Sequence, residues 1–233
     1  MTSRAVLWDF DGTLAYRTDG MWSRALLEAL DAAAPGHGVA LDALRPGLRN
    51  GFPWHTPDIG HSHASADAWW AALAPVLAGA CTGAGVCEAD AERAVAAFRT
   101  HYLDPARWTV FDDVRPALAR LSAYRHVIVS NHVPELPALV AALGLGEAFD
   151  AVVTSATVGW EKPHPEIFRT ALRLAGDPAE VWMVGDNPVA DVRGAEQVGV
   201  RAVLVRVDDP SVERRSAGLA GAADLILAGQ QRW

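Results

Sequence analysis

The sequence predicts an α/β fold, a Rossmann-like parallel sheet with helices on both faces, into which an all-helical segment is inserted. The apolar run AVLW at 5–8 leads into acidic residues and Gly12, as a buried parallel strand does where it enters a loop. After Trp108, apolar runs alternate with helical patterns, which is typical of repeated βα units. Between them, from about 20 to 104, only helical periodicity is present.

Each element has its own pattern. Three Ala-rich stretches of the insertion carry apolar residues at spacings of three and four: MWSRALLEALDAAA, ADAWWAALAPVLA and EADAERAVAAFRTHYL. Beyond Trp108 we expect a helix near 113–123, strand HVIVS, helix PELPALVAAL, strand DAVVTS, helix PEIFRTALRLA, strand VWMVG, helix VADVRGAEQV and strand RAVLV. The predicted domains are a core, 1–17 and 108–233, and a helical cap, 18–107, that we expect to form a lid.

Composition restricts the class of protein. The 233 residues are 51% hydrophobic and 21% charged, which is the balance of a globular protein of one or two domains. A net charge of -8 argues against a general nucleic-acid or anionic-membrane binder. The first residues hold an apolar run too short for a signal peptide or membrane span, so we expect a cytoplasmic protein. Cys81 and Cys87 are expected to be free thiols. The oligomeric state is not predicted.

The first chemical feature is an acidic pair at the end of the first predicted strand. Asp9 and Asp11 flank Phe10, so an extended backbone points both carboxylates to the same side, and Gly12 permits a tight turn. Two carboxylates this close repel each other. Their arrangement persists most easily when a metal cation neutralises them or when one keeps its proton. The alternative is an ordinary surface turn.

A second acidic pair, Asp186 and Asp191, follows another apolar strand. Asn187 can cap the next helix, with Pro188 in its first position and Gly199 at its end. Two acidic clusters at strand ends predict a single metal site. Alternatively, Asp191 is only a favourable charge near a helix amino terminus, worth about 0.3–1 kcal/mol.

Two further features suit phosphate. Ser130 and Asn131 end the strand HVIVS, where a hydroxyl and free backbone N–H groups can bind phosphate oxygens, although Ser-Asn also often makes a simple turn. Lys162 is the single Lys among twenty basic residues. Arg replaces Lys poorly only where a compact ammonium is needed. Lys162 precedes a Pro-rich helix start, and a cation in so stiff a loop suits a phosphoryl group.

In order, the motifs DFDGT, SN, Lys162 and GDNPVAD resemble those of the haloacid dehalogenase-like hydrolase superfamily. The likeness covers the early residues and most of 108–205. The GDxxxxD spacing and the KPHPEIF stretch resemble the branch with a helical cap between the first two motifs. The resemblance implies a Mg²⁺-dependent phosphatase that acts on a small phosphorylated metabolite through a covalent intermediate. The net charge already argues against nucleic-acid and membrane partners.

The resemblance also implies roles for the acidic residues. Asp9 is the nucleophile and a magnesium ligand, and Asp11 is the general acid and base, with its backbone carbonyl on the metal. Asp186 completes the protein ligands. Asp191 binds the metal directly, through water, or acts by orienting Lys162.

The implied substrate-binding residues lie around the same strand ends. Ser130 and Lys162 hold the phosphoryl group, Asn131 supports that loop, and Thr13 stabilises the turn next to the nucleophile. His132 either faces the leaving group or only covers the loop. In the implied reaction, the aspartyl phosphate forms while the leaving alcohol is protonated, and water then cleaves it.

Three other functions stay open. A phosphomutase, of the kind that isomerises phosphoglucose, shares the catalytic groups and differs in returning phosphate to a second hydroxyl. A haloacid dehalogenase needs neither a second acid at the position of Asp11 nor magnesium, so Asp11 and Asp186 speak against it. A binding module that keeps the fold without turnover is the third alternative, since fold does not guarantee activity.

Substrate choice is expected to lie in the insertion. Its most unusual stretch is RNGFPWHTPDIGHSH, 49–63, which carries His55, His61 and His63 among turn-forming residues. Histidines can bind a metal, but this spacing follows no zinc pattern. Polar surface histidines are therefore the expected outcome.

Overall fold

A computed structural model describes residues 3–229 of the chain. The chain separates into two compact units. The core unit comprises Met1–Tyr16, Pro57–Ser62 and Val110–Trp233, and the insert unit comprises Arg17–Thr56 and His63–Thr109. None of the helices within residues 3–229 combines the length and the apolar character that a membrane span requires.

The strands, in chain order, are β1 (Arg4–Trp8), β2 (Ala15–Arg17), β3 (Trp108–Val110), β4 (Arg125–Ser130), β5 (Ala151–Thr154), β6 (Glu180–Gly185), β7 (Arg201–Val205) and β8 (Arg215–Ser216). Six of them form a sheet in the order β5-β4-β1-β6-β7-β8, and every pairing is parallel. The strands β2 and β3 form a separate pair, and the boundaries between the two units fall within them. The parallel sheet predicted from the sequence is confirmed.

The insert unit is helical. Its helices are α1 (Trp22–Ala33), α2 (Leu41–Leu44), α3 (Ala66–Gly83) and α4 (Glu88–Leu103), with 3₁₀ turns at Arg45–Leu48, Pro53–His55 and Pro105–Arg107. No strand lies within 18–107, all of which the structure describes. The ring of Trp22 stacks on those of Phe98 and Tyr102, and the carboxylate of Glu28 pairs with the buried Arg17 at 2.5 Å.

The helices of the core unit surround its sheet in the βα pattern. They are α5 (Val114–Arg120), α6 (Leu136–Ala142), α7 (Ser155–Val158), α8 (Pro165–Leu174), a turn of π-helix (Pro188–Arg193), α9 (Gly194–Glu196) and α10 (Leu219–Gly229), with a 3₁₀ turn at Gly146–Ala148. Ile167 and Phe168 of α8 pack with Leu7 and Val129 of the sheet in one apolar cluster. Strands buried on both faces explain the near-continuous apolar runs in the sequence.

The register of the sheet brings the predicted site residues together. Trp8 at the end of β1 is paired with Ile128 of β4 on one side and with Val184 of β6 on the other. The residues that follow these strands therefore meet at one edge, where ligands bind in open parallel sheets. The sequence predicts this arrangement, and the pairing of the strands provides it.

Several local details differ from the sequence predictions. The helix expected over 189–198 is the π-turn followed by α9, because the N–H of Val192 donates to the carbonyl of Asn187, five residues earlier, at 3.3 Å. The strands β2, β3 and β8 and the helix α7 are too short to show a periodic pattern. Helix α10 is not among the predicted elements, although its buried residues Leu219, Ala222, Ala223 and Ile226 have helical spacing. Cys81 and Cys87 are free thiols, as expected.

Candidate active site

Asp9 lies directly after β1, at the centre of the sheet. Its backbone N–H donates to the carbonyl of Val184 at 2.9 Å, which continues the pairing of β1 with β6. Its carboxylate oxygen Oδ1 accepts hydrogen bonds from the Ser130 hydroxyl at 2.8 Å and from the Lys162 ammonium at 2.7 Å. Two donors therefore fix Oδ1, and Oδ2 is left for other partners. The Asp9 residue is only 6% exposed.

Lys162 is held by its side chain and by its backbone. Its buried ammonium lies between the carboxylates of Asp9, at 2.7 Å, and Asp191, at 2.5 Å. Burial by itself lowers the pKa of Lys162, but attraction to Asp191 and Asp9 outweighs it and raises the pKa above its ordinary value. The backbone N–H donates to Oδ1 of Asn131 at 2.6 Å, and the backbone carbonyl accepts from Nδ2 of Asn131 at 3.0 Å. The ammonium is therefore charged and fixed in place.

Asp191 is fully buried within the π-turn. Its Oδ2 accepts from the backbone N–H of Asn187 at 2.9 Å, while the Asn187 side chain caps the turn through the N–H groups of Val189 and Ala190. A β-carbon at Gly185 would lie 2.2 Å from Oδ2 of Asp191, so only glycine fits there. Burial raises the pKa of Asp191 to about 6, against the opposing effect of Lys162. This buried carboxylate therefore depends on its cation.

The turn after Asp9 brings Asp186 close to it. Gly12 has φ of +75°, and a β-carbon there would lie 2.2 Å from Oδ2 of Asp186. Glycine is thus needed for both the backbone conformation and the close approach. Burial, followed by repulsion from Asp9 and Asp191, raises the pKa of Asp186 to about 7. A carboxylate in this position would gain from a further cation.

Asp11 has the properties of a proton donor. Its Oδ1 is buried and has no hydrogen-bond partner among residues 3–229, and its Oδ2 lies 3.8 Å from Nε2 of His132. Burial and then repulsion from Asp9 raise the pKa of Asp11 well above its usual range. Burial lowers the pKa of His132 to about 4, so this imidazole is neutral at pH 7. Thr13 is fully buried, and its carbonyl accepts from Nε of Arg206 at 3.0 Å.

Three carboxylates fit a divalent cation. One oxygen each of Asp9, Asp186 and Asp191 lie within 4.8 Å of one another. Hard oxygen donors of this kind suit Mg²⁺. Burial, followed by repulsion from the other two carboxylates, raises the pKa of Asp186, and a cation would relieve that repulsion. The donor set and its electrostatics therefore agree with a bound magnesium ion.

The structure brings together eight predicted site residues from four segments of the core unit: Asp9, Asp11, Thr13, Ser130, Asn131, Lys162, Asp186 and Asp191. Their roles remain proposals. Gly185 is not among the residues predicted from the sequence, because its only signal is its place before the second acidic pair. His55 is exposed, and no group containing a histidine forms a metal-binding cluster in the described part of the chain. His61 is partly buried, with its side chain 15% exposed and its Nε2 3.2 Å from the buried Glu161, whereas the sequence favours a surface position.

The chain belongs to the haloacid dehalogenase-like hydrolases, whose family model matches residues 3–199. It is 33% identical over 212 residues to the human haloacid dehalogenase-like hydrolase domain-containing protein 3, covering 87% of this chain and 81% of the relative. It is 34% identical over 231 residues to a phosphoserine phosphatase from Thermus thermophilus, covering 89% and 92%. The chain is thus a hydrolase of this family.

Solved structures show the same fold. A 2-haloacid dehalogenase from Pseudomonas syringae superposes with a TM-score of 0.69 over 98% of this chain and 99% of that chain, at 23% identity. A phosphatase of the same superfamily from Thermococcus onnurineus superposes with a TM-score of 0.63 over 96% and 97%, at 22% identity. Dehalogenases and phosphatases share this architecture, so the fold alone does not decide between these reactions.

Proposed function

We propose that this hydrolase is a magnesium-dependent phosphatase that cleaves a small phosphate monoester through an aspartyl phosphate on Asp9. The observation that carries the proposal is the pairing of two carboxyl groups with opposite tasks. Oδ1 of Asp9 is held by Lys162 and Ser130, whereas Asp11 has a raised pKa and a buried oxygen without a partner. A carboxylate held by two donors next to a carboxyl group with a raised pKa is typical of a nucleophile beside a general acid.

In the first step, a carboxylate oxygen of Asp9 attacks phosphorus and the bond from phosphorus to the ester oxygen breaks. Asp11 gives its proton to the departing alkoxide, which leaves as an alcohol. The Lys162 ammonium and the Ser130 hydroxyl, which bind Asp9 in the free enzyme, can donate to the phosphoryl oxygens as negative charge develops. Asn131 keeps the Lys162 loop in register through its two backbone hydrogen bonds.

In the second step, the Asp11 carboxylate takes a proton from a water molecule that attacks phosphorus. The bond between phosphorus and the Asp9 oxygen breaks, inorganic phosphate leaves, and both carboxyl groups return to their starting states. Asp9, Asp186, Asp191 and the backbone carbonyl of Asp11 would hold Mg²⁺, which neutralises the repulsion between an anionic nucleophile and an anionic phosphate. The Oδ1 of Asp191 also accepts from the Lys162 ammonium at 2.5 Å, which supports the orienting role among the three roles expected for this residue.

The named relatives support phosphate chemistry without deciding the substrate. The Thermus relative is called a phosphoserine phosphatase, and a Methanothermobacter relative, 44% identical over 73 residues, is called a glyceraldehyde 3-phosphate phosphatase. A relative from Xanthobacter, 38% identical over 101 residues, is called a haloacid dehalogenase. Dehalogenation is the second candidate because of that likeness. We propose residues 18–107 as the cap that selects the substrate and 1–17 with 108–233 as the catalytic core.

The test is a comparison of substrates and variants. Wild-type protein is assayed on an aryl phosphate with Mg²⁺, with a chelator, and on a 2-haloacid, alongside Asp9→Asn and a surface control, Asp112→Asn. We expect phosphate release that needs Mg²⁺, persists in the control and is lost in Asp9→Asn. Quenched turnover should yield a phosphoryl adduct on the peptide that contains Asp9. Halide release without phosphate release would establish the dehalogenase instead, and an isomer in place of free phosphate would establish the mutase.

A further inference from the structure

Residues Pro57–Ser62 are part of the insertion by sequence, yet they belong to the core unit. The backbone N–H of His61 donates to the carbonyl of Gly159 at 2.8 Å. A β-carbon at Gly60 would lie 2.9 Å from the ring of Trp160, and one at Gly159 would lie 3.3 Å from the backbone of Ser62. Glycines on both sides therefore allow two chain segments to lie against each other.

At this contact a carboxylate is buried. Glu161 is 0% exposed, and neither of its oxygens has an aligned hydrogen bond within residues 3–229. Nε2 of His61 lies 3.2 Å from Oε1 of Glu161, and the His61 side chain is 15% exposed. A buried carboxylate is costly unless a polar partner meets it. His61 is that partner, so the pair attaches segment 57–62 to the loop at 159–161.

The same loop carries Lys162. Asn131 holds the backbone N–H and carbonyl of Lys162, and Asp9 and Asp191 hold its ammonium. Glu161 is the residue before Lys162, so the contact with His61 restrains the chain one peptide unit from the catalytic cation. Small displacements of the Lys162 ammonium should lower the reaction rate, because an error of 1 Å in placing a catalytic group can reduce the rate by about 10²-fold.

We propose that His61 and Glu161 are positioning residues that hold Lys162 in register. Segment 57–62 of the insertion would thereby supply part of the active site in the core unit. The inference rests on the proposed phosphatase function, in which Lys162 binds the phosphoryl oxygens. Neither residue touches the reacting atoms. Their contribution is to restrict the backbone from which the ammonium projects.

The test compares His61→Ala with His61→Gln, whose amide N–H can still donate to Glu161, and with His63→Ala as the matched control. Steady-state kinetics on an aryl phosphate should show kcat reduced on the order of tenfold in His61→Ala, with a smaller change in KM and partial recovery in His61→Gln. Hydrogen exchange, measured by mass spectrometry, should rise in His61→Ala in the peptides that contain residues 61 and 162. In His63→Ala, exchange in the same two peptides should match that of wild type.

If His61→Ala does not fold, the double variant H61A/E161Q replaces it, because it removes the buried charge together with its partner. Unchanged exchange at the Lys162 amide would overturn the proposal, and so would raised exchange with wild-type kcat. If wild-type protein hydrolyses no phosphate ester, the proposed function fails, whereas the exchange of the Lys162 amide still decides whether His61 and Glu161 hold this loop.

Discussion

The side-chain amide of Asn131 bonds to both backbone polar groups of Lys162, accepting from its N–H at 2.6 Å and donating to its carbonyl at 3.0 Å. Asn131 follows β4 and sits next to Ser130, which binds Asp9. One amide thus ties the loop of Lys162 to the strand end that carries the Ser130 hydroxyl, the two groups that we propose to bind the phosphoryl oxygens. A cation that is held in place in this way needs no reorganisation when negative charge develops during a reaction.

Asn131→Ala should therefore lower both activity and stability. Loss of the two bonds leaves backbone groups of the buried Lys162 without partners, which costs about 1–3 kcal/mol. We expect kcat on an aryl phosphate to fall by about tenfold or more. Urea unfolding and steady-state kinetics measure the two effects. Asn131→Asp, which keeps an acceptor for the N–H, should lie between; equal kcat in Asn131→Ala and wild type would contradict this role.

Gly12→Ala should be much more damaging than Gly36→Ala. Both glycines have positive φ, +75° and +82°, so both substitutions incur the penalty for a β-carbon in the left-handed region, roughly 1–2 kcal/mol. A β-carbon at Gly36 meets nothing within 4 Å, whereas one at Gly12 meets Oδ2 of Asp186 at 2.2 Å. The additional loss of stability in Gly12→Ala, measured by thermal unfolding, isolates this crowding, and activity should be lost with it. Equal losses in the two variants would show that Asp186 moves aside freely.

Metal binding should reverse the stability order of wild type and Asp186→Asn. With a chelator, Asp186→Asn should be at least as stable as wild type, because burial and repulsion from Asp9 and Asp191 disfavour the charged carboxylate. With Mg²⁺ well above its dissociation constant, wild type should gain about 2–3 kcal/mol, seen as a rise of several degrees in Tm. The variant should gain little. Equal Mg²⁺-induced shifts in both proteins would exclude Asp186 as a ligand.

His126 should contribute to acid sensitivity. Its Nδ1 accepts from the indole N–H of Trp8 at 3.1 Å, and burial lowers its pKa below the ordinary 6.5. The unfolded chain therefore binds the proton first as pH falls, so the stability contributed by neutral His126 is present above about pH 6.5 and is lost below it, until the folded state is protonated too. Urea unfolding at pH 7 and pH 5.5 should show a smaller acid-induced loss in His126→Gln than in wild type. Equal losses would contradict the shift.

Much of the fold and of the candidate site could be predicted from the sequence, because strong local patterns indicate these elements and residues. The apolar runs of β1, β4, β6 and β7 are buried strands, and the Asn187–Pro188 pair begins a helical turn, as their residue types indicate. The two acidic pairs, Ser130 and Lys162 were likewise identified. Elements of two to four residues, such as β2 and β8, were missed, because so short a segment has no periodicity and its structure depends on the strand beside it.

By itself, the sequence determined the architecture and the chemical groups of the site, because burial of apolar runs and the reactivity of carboxyl and ammonium groups are properties of residue types. The contacts that each of these groups makes depend on how the chain folds in three dimensions. That Lys162 lies between Asp9 and Asp191, that Asn131 holds its backbone, and that His61 meets the buried Glu161 all depend on contacts between distant segments. Such contacts follow from strand order and loop packing, which no local pattern encodes.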